Sequence, residues 1–351
     1  MSGKSKQEGG RTTISEQQIV FFEAEDWEKE FIKRGALQGY EPRVYAERLT
    51  EETSALAKDA EIISVFIYSN IDRVVLDKLP HLKMIATRST GYDHIDLREC
   101  RARGISVANV PYYGENTVAE HAFGLILALS RKIHKATMRT SRLDFTLENL
   151  RGFDLKGKTI GVVGAGRIGL HVVRIAKGFG MDVLVYDVRQ EPLLAEVLGF
   201  SYVSFEELLR RSDIISLHVP LTESTRHLIN LQNIHMIKPG ALLINTARGA
   251  IVQTEAILAA LDQGILGGAG LDVFEGEETI KEETALLTER LPREKLREIL
   301  LSYALLHRDN VVITPHIGFY SFEALLRIME TTEQNILSYM EGRKINLVQI
   351  A

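Results

Sequence analysis

Residues 158–180 read KTIGVVGAGRIGLHVVRIAKGFG. An apolar strand runs straight into three glycines and then into an amphipathic helix. No other stretch narrows the possible folds as much, because a strand that turns at once into a helix builds a βα unit, and its next strand runs parallel by a right-handed crossover. Gly164, Gly166 and Gly169 form G-x-G-x-x-G. Gly164 permits the tight turn, Gly166 lets backbone approach a pyrophosphate, and Gly169 lets the helix pack closely on the strand. Arg167 and Ile168 stand at the helix N-terminus, where free N–H groups and the positive dipole end favour phosphate.

The strand DVLVYD follows and ends at Asp187, 18 residues after Gly169. An acid there hydrogen-bonds ribose hydroxyls and repels a 2′-phosphate, so NAD is expected over NADP. Arg189, two residues on, is the one feature that would suit the phosphate.

Strand-length apolar runs alternate with helix-period segments along most of the chain, the mark of an α/β protein with parallel sheets. The first half offers QQIVFF, IISVFIY, LKMIATR and ISVAN as strands, with DRVVLDKL as a helix between two of them. From 158 onward KTIGVVG, DVLVYD, IISLHV, ALLINTA, AGLDVF and NVVITP form a second series. Ser204 with Glu207 makes a capping box, and Gly264 ends the helix that precedes AGLDVF. Between the series, Val118, Ala122, Leu125, Ile126, Leu129 and Ile133 share one helical face, which predicts a long helix over 116–135 opened by a Thr117–Glu120 capping box. The last segment, SFEALLRIMETTEQNILSYMEG, is a helix placed to return to the first domain. Residues 278–309, long and highly charged, read as an insertion with one or two helices at a subunit or domain contact.

At 351 residues with 45% hydrophobic content, the chain has material for two cores. Its net charge of −5 is dispersed, which argues against nucleic acid or an anionic membrane as partner. One cysteine, Cys100, precludes an intrachain disulfide and suits a reducing, cytoplasmic location. No apolar run of about 18 residues suggests a transmembrane helix, and the polar start MSGKSKQEGGRTT lacks the apolar core of a signal peptide. Residues 1–15 are expected to be a disordered tail, and no His, Asp or Glu cluster has metal-ligand spacing.

Ligands of open α/β sheets bind at the carboxyl ends of the strands. Three strand ends here carry chemistry: Arg248 after ALLINTA, the acids of GLDVFEGEET, and His316 after VVITP. An arginine fork grips a 2-oxo acid carboxylate and carbonyl. A histidinium gives the carbonyl oxygen its proton, and a carboxylate beside the ring holds it and favours its protonated form. Asp272, Glu275, Glu277 and Glu278 all stand in that acidic stretch, and the local residues alone do not choose among them.

GVVGAGRIG, VYD, HVPLTESTRHLIN, NTARG, GLDVFEGE and ITPHIGFYS together resemble the D-isomer-specific 2-hydroxyacid dehydrogenases, over about residues 60–340. TPHIGFYS, the DVFEGE ending and the long insert resemble the D-lactate dehydrogenase branch. The resemblance implies two Rossmann-like or flavodoxin-like domains with parallel sheets and a cleft between them that takes the substrate. Residues 16–116 with 319–351 would form the substrate domain and 117–318 the NAD domain. It implies Arg248, Glu277 and His316 as the catalytic set, and puts Asp272 near the nicotinamide amide. Val219, Pro220, Thr225, Thr246 and Ala247 would be further NAD contacts. In RSTGYDHID, the backbone N–H groups of Thr90 and Gly91 would hold the substrate carboxylate. Tyr113 would line the pocket, with Tyr68 and Phe319 as further candidates. Gly114-Glu115 follow Tyr113 where the lactate branch often has Ser-Pro, a departure that bears on which 2-oxo acid fits.

The expected activity is reversible hydride transfer between NADH and a small 2-oxo acid, pyruvate first and branched acids second, by a homodimer built through the NAD domain. Two alternatives share the motifs. One is an NAD-sensing binding protein resembling transcriptional corepressors; the other is a glyoxylate, hydroxypyruvate or phosphoglycerate dehydrogenase. Glu275 and Glu278 read as solvated turn residues, and His94, His121 and His218 have no proton-transfer role in this scheme.

Overall fold

Strands that are apolar on both faces need cover on both faces, and two parallel sheets with flanking helices meet that need. The computed structural model describes residues 18–277 and 293–349. The chain divides into two compact units, one running up to Tyr113 and resuming at Ser321, the other Gly114–Tyr320. The sequence boundaries at 116 and 319 lie within three residues of these. The expected tail at 1–15, Glu278 and the first part of the 278–309 insertion lie outside the described residues.

The first unit holds a five-stranded sheet of β1 (Ile19–Phe21), β2 (Arg43–Val44), β3 (Ile62–Val65), β4 (Met84–Thr87) and β5 (Ser106–Ala108), in the order β2-β1-β3-β4-β5. Every pairing is parallel, and the order is that of a flavodoxin-like doubly wound sheet. β1, β3 and β4 are buried throughout. Helices α1 (Asp26–Arg34), α2 (Arg73–Asp77) and α3 (Leu97–Ala102) belong to this unit. One face packs Ile19, Phe21, Ile62 and Met84 against Met329 and Ile336 of the terminal helix, labelled α11 below. Arg88, just past β4, is fully buried. Its Nη2 donates to the carbonyls of Phe22 (2.7 Å) and Glu23 (2.9 Å), and its Nη1 to Ser64 Oγ (3.2 Å). That fan ties the carboxyl ends of β1, β3 and β4 together.

The second unit holds β6 (Thr159–Val163), β7 (Asp182–Tyr186), β8 (Ser201–Tyr202), β9 (Ile214–Leu217), β10 (Ala241–Asn245), β11 (Leu266–Leu271) and β12 (Val311–Ile313). Their order is β12-β11-β10-β9-β6-β7-β8, all parallel. The order reverses between β6 and β9, so the crevice at their carboxyl ends is the expected ligand position. Helices α4 (Glu115–Ser130), α5 (Ile133–Thr140), α6 (Arg167–Gly178), α7 (Pro192–Leu198), α8 (Phe205–Arg211), α9 (Thr254–Asp262) and α10 (Arg293–Leu306) complete this unit, and α11 (Phe322–Met340) returns to the first.

The expected 116–135 helix is corrected in two respects. Gly114 is the N-cap of α4, which puts Thr117 inside the first turn, so Thr117 and Glu120 form no capping box. The helix stops at Ser130, because Lys132 adopts a left-handed φ of 57° and α5 restarts after it. Ala122, Leu125, Ile126 and Leu129 are buried as the periodicity requires, whereas Ile133 beyond the break is exposed. At Ser204 half of the expected box is present: its side chain accepts from Glu207 N, while the Glu207 carboxylate pairs with Arg211. Gly264 closes α9 at φ +68°. The described part of the 278–309 segment is α10, whose Leu305 packs with Ala256, Ile257 and Ala260 of α9 in the unit's own core. β2 and β8, two residues each, carry no run that the sequence pattern can detect.

Candidate active site

The glycine turn is built by close approach. A Cβ on Gly169 would lie 1.9 Å from the Gly164 carbonyl oxygen, and Gly164 itself takes φ +101° with its Cβ position 2.8 Å from the His218 carbonyl. Burial pushes the His218 imidazole down to about 3, so the ring is neutral near pH 7, with Nε2 2.8 Å from Ser216 Oγ. By contrast a Cβ on Gly166, the N-cap of α6, would meet nothing within 4 Å. That open space at a helix N-terminus suits a pyrophosphate against backbone. Arg167 and Ile168 open α6, and Arg167 Nη1 lies 3.5 Å from Glu115 Oε1. Asp187, past the end of β7, accepts from Ala165 N (2.6 Å) and Arg189 N (2.8 Å).

The strand ends around this crevice supply the remaining cofactor candidates. Val219 and Pro220 follow β9, and the Pro220 carbonyl accepts from Thr225 Oγ1 at 2.6 Å, which folds that segment into a turn. Thr246 Oγ1 is buried and has no partner among the described residues. A buried, unsatisfied hydroxyl is costly unless a ligand completes it, so the residues present fit a bound dinucleotide. Ala247 N is held by Asn245 Oδ1 at 3.1 Å.

Arg248 follows at once, exposed, with Nη1 on the Ala247 carbonyl at 2.7 Å. The next residue must be glycine: a Cβ on Gly249 would lie 2.3 Å from Phe274 C and 2.8 Å from Glu275 N. The arginine turn is thereby seated against the acidic loop after β11. In that loop the two nearest acids part company. Glu277 Oε1 lies 3.2 Å from His316 Nδ1. Glu275 Oε1 instead lies 2.5 Å from His227 Nε2, and its Oε2 accepts from Thr254 N (2.9 Å) and Oγ1 (3.1 Å). Glu275 is therefore a paired, four-fifths-buried side chain, which corrects its expected place as a solvated turn residue.

His316 adopts φ 58°, a left-handed conformation uncommon outside glycine. Asp272 enforces it. The Asp272 carbonyl accepts from His316 N at 3.0 Å. Its carboxylate accepts from Thr314 Oγ1 (2.6 Å), Ile317 N (2.9 Å) and Gly318 N (2.8 Å), with His121 Nε2 at 3.3 Å. Burial alone would raise this carboxyl, but the hydrogen bonds from His121, Thr314 and the two N–H groups together hold it below the ordinary carboxylate value. Asp272, His121 and Thr314 thus wrap the histidine loop. His121 had no role in the sequence scheme, and its partner at 314 lies too far along the chain to suggest one.

The first unit holds the other substrate candidates. The Thr90 hydroxyl donates to the Val110 carbonyl (2.8 Å), the Thr90 carbonyl accepts from Asn109 Nδ2 (2.8 Å), and the Gly91 carbonyl accepts from Ser89 Oγ (2.6 Å). The backbone N–H groups of Thr90 and Gly91 have no partner among the described residues. The Tyr113 carbonyl accepts from Arg327 Nε at 2.6 Å. Tyr68 is half exposed beneath the Arg48 guanidinium, 4.9 Å from its ring centroid. Phe319, in the second unit, meets Tyr320 edge-on at 5.8 Å. Among the described residues no group of His, Cys, Asp and Glu could hold a metal ion, and no helix is long and apolar enough to cross a membrane.

The sequence model "D-isomer specific 2-hydroxyacid dehydrogenase, NAD binding domain" matches residues 123–318. A 2-hydroxyacid dehydrogenase homolog of Haemophilus influenzae is 36% identical over 328 residues, 93% of this chain and 97% of its own. A glyoxylate reductase of Thermococcus litoralis is 38% identical over 292 residues, 81% and 82% of the two chains. Among solved structures, D-lactate dehydrogenase from Aquifex aeolicus complexed with NAD and lactic acid is similar at a TM-score of 0.79 and 39% identity, covering 92% of this chain and 96% of that one.

Proposed function

From the premise that this chain belongs to the D-isomer-specific 2-hydroxyacid dehydrogenase family, and is an NAD-dependent oxidoreductase acting on the CH–OH group of 2-hydroxy acids, we propose that it reduces pyruvate, or a small branched 2-oxo acid, to the D-2-hydroxy acid. The observation that carries the residue roles is the 3.2 Å contact between His316 Nδ1 and Glu277 Oε1 at the carboxyl ends of adjacent strands. With Nδ1 committed to Glu277, Nε2 is the ring atom that exchanges a proton with the substrate oxygen. Arg248 grips the substrate carboxylate and carbonyl, and the N–H groups of Thr90 and Gly91 bind the carboxylate. NAD, when bound, supplies or accepts the hydride. In reduction the carbonyl carbon gains the hydride, the oxygen gains the His316 proton, and Glu277 stabilises the imidazolium beforehand.

Lactate-type chemistry is favoured by the TPHIGFYS and DVFEGE motifs and by similarity to the Aquifex aeolicus D-lactate dehydrogenase. The similarity to a glyoxylate reductase keeps glyoxylate on the panel of substrates to test. Asp187 supports NAD over NADP. The protein acts as a homodimer through its NAD unit, a reading supported by the exposed Leu143, Phe145 and Leu147 just past α5. The lone, buried Cys100 supports a cytoplasmic location.

The test is NADH oxidation against pyruvate, 2-oxoisovalerate, 2-oxoisocaproate, glyoxylate and hydroxypyruvate, with the product's configuration determined. Fast turnover of pyruvate or a branched acid to the D-product is the expected result. Silence across the panel while NADH binds would overturn the reading, and a strong preference for glyoxylate or hydroxypyruvate would replace its substrate.

A further inference from the structure

Glu275 makes more connections than its place two residues before Glu277 requires. Its Oε1 meets His227 Nε2 at 2.5 Å. Its Oε2 accepts both the N–H and the hydroxyl of Thr254, the first residue of α9. Its carbonyl accepts from Ser302 Oγ of α10 at 3.0 Å, and Ser302 is fully buried. Its amide nitrogen borders the slot that only a glycine at 249 fits. His227 is itself pinned, its N–H on the Ala250 carbonyl at 2.8 Å and its own carbonyl on Asn230 Nδ2 at 2.8 Å.

These contacts draw four segments onto one residue: its side chain takes the loop after β9 and the start of α9, while its backbone meets the turn that carries Arg248 and α10. Two of the proposed reacting groups depend on that junction. Arg248 precedes the Gly249 slot by one residue, and Glu277 follows Glu275 by two. With both carboxylate oxygens occupied by His227 and Thr254, Glu275 is committed to structure rather than to proton exchange.

We propose that Glu275, with His227, is a positioning pair for 2-oxo acid reduction: the Glu275 carboxylate clamps the Arg248 turn and the Glu277 loop into one register. The inference rests on the roles given above to Arg248, Glu277 and His316. A misplacement of about 1 Å at such groups costs about a hundredfold in rate, so a clamp remote from the substrate has a large kinetic effect.

The test uses the full-length protein and compares Glu275→Ala, Glu275→Gln and His227→Gln with the parent. Pyruvate is the substrate, and NADH affinity is read by fluorescence titration. Glu275→Ala should lower kcat/KM for pyruvate by about tenfold or more, leave NADH affinity within about twofold, and leave the pH limbs of the rate where they are. Glu275→Gln should recover most of the loss, because its Oε1 accepts from Thr254 and its amide N–H reaches the His227 ring. If Glu275→Ala does not fold, His227→Gln carries the test, with an expected loss of about threefold or more in kcat/KM at unchanged NADH affinity. Parental kinetics in Glu275→Ala, or in His227→Gln where that variant stands in for it, would overturn the proposal. So would a Gln variant as impaired as Ala, or a pH limb that moves in Glu275→Ala. A parent that binds NADH yet reduces no 2-oxo acid overturns the functional reading, and the clamp's role with it.

Discussion

The Asp187 carboxylate accepts a 2.6 Å hydrogen bond from the backbone N–H of Ala165, in the middle of the glycine turn. The residue expected to read the ribose therefore also holds the turn expected to receive the pyrophosphate. Replacing Asp187 by Ala should do more than relax discrimination against a 2′-phosphate. A hydrogen bond to a charged group contributes about 1.5–3 kcal/mol, so NADH affinity should fall by about tenfold or more. NADPH should gain little, despite Arg189 nearby. Parallel fluorescence titrations with both nucleotides check this, and NADPH binding as tight as the parent's NADH binding would refute it.

Glu277→Gln removes the negative charge 3.2 Å from His316 Nδ1 while keeping a hydrogen-bond acceptor. In the proposed scheme Glu277 holds the ring whose other nitrogen gives the substrate oxygen its proton. The maximal rate of pyruvate reduction should therefore fall by about tenfold or more, with NADH affinity within about twofold of the parent's. Steady-state kinetics at saturating NADH beside fluorescence titration measure both; a parental maximal rate would separate Glu277 from His316.

Gly249→Ala puts a methyl group 2.3 Å from the Phe274 backbone, so the Arg248 turn and the acidic loop must separate. Overpacking of this kind costs about 1–3 kcal/mol of stability. The loss of pyruvate turnover should exceed what the stability loss explains, because both turns carry reacting groups. Urea melts beside steady-state kinetics at 25 °C distinguish the two effects. A variant with parental kcat/KM would show that the contact is without consequence.

His218 is a group whose charge change the native state resists. Its imidazole ordinarily titrates at 6.5 and burial lowers it to about 3 in the folded chain. Above pH 6.5 both states are neutral and the stability at this site is complete. As pH falls from 6.5 towards 3 the unfolded chain takes up a proton that the folded chain refuses, so stability declines. His218→Gln should flatten the decline in denaturant midpoint between pH 6.5 and 4. In the parent, the His218 ring resonances should remain those of neutral imidazole across that window.

What the sequence displays and what it conceals follow from the range of the interactions involved. Runs such as TIGVV and ALLIN are buried on both faces, so their apolar continuity is visible residue by residue. β2 and β8 are two-residue strands, too short to show any period. The break after Ser130 is hidden because the apolar spacing continues through to Ile133 and the left-handed residue is a lysine, not a glycine. Arg248 and His316 are legible as polar residues at strand ends. Only the spacing of the resembled family distinguishes Glu277 from Glu275, since both are acids in one turn. Their partners, His316 and His227, lie 39 residues downstream and 48 upstream, and only the folded chain brings each pair together.

The return of α11 to the first unit has a consequence for how the chain is made on the ribosome. The second unit is one unbroken stretch and can close as soon as residue 320 has left the exit tunnel. The first unit cannot: Met329 and Ile336, which pack on Ile19, Phe21, Ile62 and Met84, are translated only after the whole of the second unit. Multidomain chains generally fold from the N-terminus during synthesis. Here the five-stranded sheet keeps an apolar face without that cover until the second unit has been made.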